Sequence, residues 1–325
     1  MPAATVHPRH RRRLRLVLRI LVSVALFAVL LSRIHFGDFV PHRHGAGTWF
    51  YLGAAIALMG VSFVLGAWRW QRVLAIFGHH VGLRTLVSHT LAGQFVGNVL
   101  PSTVGGDVLR ISRSSSDVGD TTEAFAAVVL ERLTGFVVLP LLVVAGFALD
   151  PALFSTRRSP LALLIACGTV AVFASLLFLA GHPRVAGRFA ERDNWMRAIG
   201  AVHTGVDRLR RAPRAALAAI GAALVYQVTV VASVGCAFHV VDVRVSTGAI
   251  LAFVPAVAMA QVVPITLGGL GVREGLLALF LRPLGVSTGQ AVAVGLLWYA
   301  IVLLVSLLGA PAFAVGHRRR EATTP

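Results

Sequence analysis

The sequence predicts an all-α polytopic membrane protein, with about six transmembrane helices plus two re-entrant broken-helix hairpins arranged as an inverted-topology repeat. Three observations lead there. Hydrophobic residues make up 57% of the 325 positions and charged residues only 13%, against about 25% charged in a soluble globular domain. Several apolar runs approach the ~20 residues that cross a bilayer as a helix, and no long alternating pattern suggests a barrel. One stretch of Pro, Gly-Gly and Arg occurs twice. Its copies read NVLPSTVGGDVLR from Asn98 and QVVPITLGGLGVR from Gln261, and they align without a gap at a constant offset of 163 residues.

The net charge of +17 comes from arginine, because the chain has no lysine. Those arginines sit in short connections between apolar runs, as the positive-inside rule requires, so no nucleic-acid partner is expected. Cys167 and Cys236 lie inside apolar runs without metal-ligand spacing and read as small core residues. Loop histidines such as His42, His44, His79 and His80 lack further ligands. No metal, cofactor or catalytic residue is assigned.

Taken in order, residues 1–13 form a basic cytoplasmic N-terminus that leads into a first span, Leu14 to Leu31. No cleavage pattern follows, so it reads as an uncleaved signal anchor. A second span, Trp49 to Ala67, ends at Trp68-Arg69-Trp70-Gln71-Arg72, the chemistry of an interfacial anchor. Residues 83–113 hold the first copy of the repeated stretch and form a hairpin entering from the cytoplasm, closed by the serine-rich turn Ser114-Ser115-Ser116-Asp117. Thr121 to Leu149 is a third span carrying Glu131 and Arg132 near its middle. Each such charge costs ~2.5–3.5 kcal/mol on insertion scales, so both must be paired or face a wet cavity.

A fourth span, Leu161 to Ala180, leads to residues 182–214, a basic cytoplasmic loop that reads first as solvated and second as an interfacial amphipathic segment. A fifth span, Ala215 to His239, follows. Residues 247–282 hold the second hairpin, which must enter from outside if the last span, Gln290 to Phe313, is to return the Arg318-Arg319-Arg320 tail of residues 316–325 to the cytoplasm. The single integral domain is therefore 14–315. Its first repeat covers about 49–149 and its second about 215–315, with both termini inside.

Proline removes a backbone donor and paired glycine permits unusual backbone angles, so each copy reads as a helix broken inside the membrane. Such backbone is tolerated only where it is buried in protein or lines a cavity. Free N–H groups at Gly105, Gly106, Gly268 and Gly269 would suit an anion. Hydroxyls of Ser102, Thr103 and Thr266 stand beside them, and the guanidinium groups of Arg110 and Arg273 suit bidentate phosphate binding. Asp107, Glu131, Arg132 and Glu274 complete the candidate substrate-binding set. A plainer reading makes the glycines packing positions and the arginines interfacial.

LPSTVGGDVLR at 100–110, VLERLTG at 129–135 and VPITLGGLGVREG at 263–275 resemble the membrane region of the lysylphosphatidylglycerol synthase/flippase family. The resemblance covers about residues 15–315 and lacks the family's soluble synthase domain, so it implies lipid translocation without lipid synthesis. The expected function is a bacterial inner-membrane flippase for an anionic or aminoacylated phospholipid or a polyprenyl-phosphate-linked headgroup, working by alternating access beside a separate lipid-modifying enzyme. The arginine-only, alanine-rich composition suggests a GC-rich bacterial genome. Charge reversal at Glu131 is expected to abolish transport without unfolding. Two alternatives stand beside this one. The first is a membrane-embedded transferase or accessory subunit using Asp107, Glu131 or Glu274 as base on a lipid-linked donor, and the second is a carrier of a small soluble anion.

Overall fold

The computed structural model describes residues 45–99, 105–156, 159–181, 196–261 and 269–314. All regular structure among them is helical. In chain order the α-helices are α1 (Ala46–Ile76), α2 (Leu83–Val99), α3 (Gly105–Val118), α4 (Thr121–Leu149), α5 (Ser159–Gly181), α6 (Met196–Arg211), α7 (Pro213–Val240), α8 (Thr247–Ala260), α9 (Val272–Leu281) and α10 (Thr288–Ser306). Four of them, α1, α4, α7 and α10, are long and apolar enough to cross a membrane, while Ser159–Ser175 and Thr247–Ala260 are shorter apolar stretches. The expected first span, both basic termini and Pro101, Ser102, Thr103, Pro264, Thr266 and Gly268 lie outside the described residues.

The helices begin where polar side chains can take up unpaired N–H groups. Asp120 accepts from Thr122 and Glu123 at 2.6 and 3.4 Å to cap α4. Ser246 caps α8 through Ala249 N–H and Ser287 caps α10 through Gln290 N–H, each at 3.1 Å. Each cap satisfies a donor that the first turn leaves without an intrahelical partner.

Between helices in lipid there is little hydrophobic driving force, so close backbone approach through small residues must carry the packing. The structure uses glycine in that way at three crossings. A Cβ at Gly146 of α4 would stand 2.6 Å from the carbonyl oxygen of Gly248 in α8. One at Gly93 of α2 would stand 3.0 Å from the carbonyl oxygen of Gly106 in α3. Gly66 of α1 leaves room for the Tyr226 ring of α7, and the same pair of helices is tied by Ser233 Oγ donating to the Ala55 carbonyl at 2.7 Å. Large apolar side chains such as Leu141, Val144, Leu164, Leu217 and Leu308 point outward instead.

The order long, short, short, long occurs twice, in α1–α4 and in α7–α10. The buried apolar residues form two clusters. On α1 one cluster takes Ala55, Met59 and Phe63 and the other Ala67, Trp70, Val73 and Leu74. On α4 one takes Val138, Leu139, Leu142, Val143 and Phe147 and the other Ala126, Ala127, Val128, Leu130 and Leu133. Arg69, Glu131, Arg132 and Gly135 fall close to the junction of the two. The polar site therefore interrupts the apolar core.

Three sequence expectations change. The serine-rich turn is helical: α3 runs on through Val118, with Ser114 and Ser115 hydroxyls donating to the Ile111 and Ser112 carbonyls, and Gly119 at φ +81° ends it. Side-chain bonding to the preceding turn lets these serines stay helical. The basic connection is not merely a solvated loop either. Residues 196–211 form α6, whose Val206 is buried and whose Gly205 lies against Leu130 and Phe77. Finally, the aromatic and arginine anchor after the second span is only half interfacial. Arg72 lies over the Trp68 ring at 5.3 Å, but Arg69 and Trp70 are buried.

Candidate functional site

Within the helical periodicity of α1, Arg69 occupies the same buried stripe as Ser62, Phe63 and Gly66. A buried guanidinium needs anionic partners, and Glu131 of α4 provides them. Arg69 Nε donates to Glu131 Oε1 at 2.9 Å, and Arg69 Nη2 bonds the same oxygen. The other carboxylate oxygen, Oε2, lies 3.4 Å from both Nη1 and Nη2 of Arg110 on α3. Glu131 is thus shared by two arginines from two different helices, and it is only 2% exposed.

Aromatic rings and missing side chains hold these arginines in place. Arg69 lies over the Tyr226 ring at 4.6 Å and Arg110 over the Trp70 ring at 4.2 Å, both cation–π distances. A Cβ at Gly135 would stand 2.6 Å from Arg69 Nη1, and one at Gly93 would stand 2.8 Å from Arg110 Cγ. Arg132 does not pair with Glu131. It turns to Asp107 at the start of α3 and forms an ion pair there, with its side chain half exposed. Asp107 also lies 3.7 Å from Arg110 Nη1.

The second copy is built differently. Gly269 and Gly271 have φ of +76° and +84°, the left-handed region that glycine accepts readily. α9 then begins, and its buried Glu274 reaches back so that Oε2 accepts the Gly271 N–H at 2.6 Å. Oε1 accepts from Arg273 Nε and Nη2 at 3.1 and 3.0 Å. Glu274 thus occupies the Gly271 N–H at the start of α9; of the two glycines expected to offer free N–H groups at this copy, Gly268 lies outside the described residues. Gly295 of α10 makes room for Glu274, and Arg273 lies 5.0 Å from the Tyr299 ring and 5.5 Å from the Trp298 ring.

Both copies face one cavity of about 470 Å³. Gly106, Asp107, Arg110 and Arg132 line it from the first half and Gly269 and Arg273 from the second, together with Arg69, which sequence reasoning had placed at the interface. An adjoining pocket of about 110 Å³ reaches Glu131 and Thr90. Gly105 opens α3 half-buried but does not line the cavity. Glu274 lies behind Arg273, fully buried. Gln94, Asn98, Tyr226, Gln227, Gln261, Trp298 and Tyr299 also line the cavity and were not assigned from sequence. Asn98 and Gln261 were nonetheless visible, as the first matched pair of the repeated stretch.

The cavity presents four guanidinium groups, those of Arg69, Arg110, Arg132 and Arg273, and among its lining residues only Asp107 is a carboxylate. Counting the buried Glu131 and Glu274 as well, one positive charge remains uncompensated among the described residues of the site. It resides where Arg69 and Arg110 share Glu131. Arg110 Nε is buried without a hydrogen-bond partner among the described residues. Glu131→Arg would gather three guanidinium groups there, so the expectation that this reversal spares the fold is withdrawn.

No curated protein and no solved structure matches the chain. A family model does, that of the lysylphosphatidylglycerol synthase TM region, over residues 16–309. With four long apolar helices among its described residues, and with that match spanning most of its length, this multi-pass membrane protein belongs to the lysylphosphatidylglycerol synthase TM region family.

Proposed function

We propose that the chain moves a phospholipid or a lipid-linked anionic headgroup across the bacterial inner membrane by alternating access. The phosphate is held at the uncompensated positive charge beside Arg69 and Arg110, with Arg132 and Arg273 lining the route and the acyl chains left in lipid. The observation that carries this reading is a single cavity lined by guanidinium groups from both copies of the repeated stretch. Its volume of about 470 Å³ lies within the ~300–1,000 Å³ of small-molecule sites, enough for a headgroup but not for a whole lipid.

In this reading α2–α3 and α8–α9 are re-entrant hairpins of opposite orientation, and both termini are cytoplasmic. Three features support it: the twice-repeated helix order, the glycine crossing of α2 on α3, and the arginine distribution. Inverted repeats that meet at a midplane site move by rocking one repeat against the other. The transferase alternative draws less support, because Asp107, Glu131 and Glu274 each already accept from an arginine.

The test is leaflet exchange of labelled anionic, aminoacylated and polyprenyl-phosphate lipids in reconstituted liposomes. An Arg110→Lys plus Arg273→Lys variant keeps both charges and loses the planar fork that binds phosphate bidentately. Exchange of one lipid class by the wild type, with at least about a tenfold slower rate in the variant, is expected. No exchange of any class by folded wild-type protein, or an undiminished rate in the variant, would count against the proposal.

A further inference from the structure

We infer that the headgroup is a neutral, hydroxyl-rich group, a sugar or polyol, joined to its lipid through a single phosphodiester. This rests on the reading above that the cavity receives a lipid headgroup, and it narrows the chemistry of that headgroup.

The charge balance sets the first limit. One positive charge stands uncompensated, so one monoanionic phosphodiester neutralises the site. A diphosphate would bring a further negative charge, and the described residues that line the cavity supply no further cation to meet it. A cationic headgroup fares no better, since every carboxylate of the site has an arginine nitrogen within 4.0 Å. Moving a cation into that environment gains no unpaired anion and faces Arg132 and Arg273 directly.

The neutral part of the lining sets the second limit. Asn98 and Gln261 occupy matched positions in the two copies, and Gln94 and Gln227 join them at the cavity wall. Amide side chains offer a donor and an acceptor on one rigid fork, which is what neighbouring hydroxyl groups require. Asn98 Nδ2 is buried and has no hydrogen-bond partner among the described residues, so it is a donor waiting for an acceptor. Thr90 Oγ1 in the adjoining pocket is in the same condition. A plain alkyl headgroup would leave these groups unsatisfied, whereas hydroxyls would satisfy them. Tyr226, Trp298 and Tyr299 add ring surface suited to the C–H faces of a polyol ring.

Binding tests this without requiring transport. The full chain in detergent is titrated with phosphatidylinositol, with phosphatidylethanol (the same charge and no headgroup hydroxyl), with lysylphosphatidylglycerol, and with water-soluble glycerophosphoinositol, and bound lipid is read by native mass spectrometry. Phosphatidylinositol is expected to bind about tenfold more tightly than phosphatidylethanol, and lysylphosphatidylglycerol no better than phosphatidylethanol. Asn98→Leu should bring phosphatidylinositol to within about twofold of phosphatidylethanol. Gln227→Leu serves in its place if that variant melts early. Equal wild-type affinity for the hydroxylated and plain phosphodiesters, or tightest binding of the lysyl lipid, overturns the inference and leaves the lipid-cavity reading standing. Soluble glycerophosphoinositol binding as tightly as the lipid overturns lipid attachment, and binding of none of the probes overturns both readings.

Discussion

Arg69 and Glu131 lie 62 positions apart in sequence and meet in a two-point ion pair between α1 and α4, with Arg110 of α3 on the far side of the carboxylate. The pair ties two of the long apolar helices to one of the short ones. Because the charges are buried, removing Glu131 leaves two guanidinium groups without compensation, which typically costs about 3–5 kcal/mol, whereas removing Arg69 leaves Glu131 paired with Arg110.

That asymmetry yields a first prediction. Glu131→Met should lower thermal stability in detergent substantially and Arg69→Met less, while the double variant recovers part of the Glu131→Met loss, since it leaves one buried guanidinium, that of Arg110, in place of two. The double variant should still fail to exchange lipid. A double variant as unstable as the sum of the singles would show that the pair does not act as a unit.

Glycine positions give a second prediction. A methyl group at Gly106 would overlap the carbonyl oxygen of Gly93, a backbone atom that cannot rotate away. Gly106→Ala should therefore destabilise by about 1–3 kcal/mol, the usual cost of overpacking. Gly60→Ala, where nothing lies within 4 Å, should be neutral or gain up to about 1 kcal/mol from helix propensity. Thermal melting of the two variants side by side decides it, and equal melting points would remove the close crossing of α2 and α3.

Arg132 and Asp107 supply the third. Arg132 is half exposed to the cavity, so its ion pair adds about 0–1 kcal/mol to stability. Arg132→Ala should melt like the wild type and yet slow lipid exchange several-fold, because the route loses one of its guanidinium groups. Wild-type exchange by a well-folded Arg132→Ala protein would remove Arg132 from the route.

How much of this was readable beforehand follows from the chemistry of each residue. Pro, Gly-Gly and Arg are poor choices for a helix in lipid, so Arg110, Arg273, Gly106 and Gly269 announced a shared site, and the structure brings all four to one cavity. Glu131 announced that it needed a partner but not which one. Arg69 was hidden by its setting, because Trp-Arg-Trp-Gln-Arg at the end of an apolar run carries the composition of an interfacial anchor. The discriminating signal was helical spacing: Ser62, Gly66, Arg69 and Val73 recur at three and four residues on one face. The Arg132–Asp107 pair was beyond reach, because it requires α3 to lie along α4, and nothing local in either segment encodes that.

The fourth prediction concerns the path of the chain. α2 has 17 residues and α3 has 14, and at 1.5 Å per residue the shorter spans roughly 21 Å, less than the ~30 Å hydrocarbon core. Two such helices crossing at Gly93 and Gly106 can enter and leave on one side, but neither can comfortably span alone. In a cysteine-free background, with Cys167 and Cys236 replaced by alanine, single cysteines at His80 before α2 and at Ser116 near the end of α3 should both react with a membrane-impermeant maleimide from the cytoplasmic face only. Cysteines at Asp242 and Gly285, which bracket α8 and α9, should both react from the opposite face. Labelling of His80→Cys and Ser116→Cys from opposite faces would make α2–α3 a crossing, reverse every later span, and place the C-terminal arginines outside against the charge rule. Agreement at both pairs would require the two halves to enter the membrane from opposite sides, which is the geometry that alternating access at a shared cavity needs.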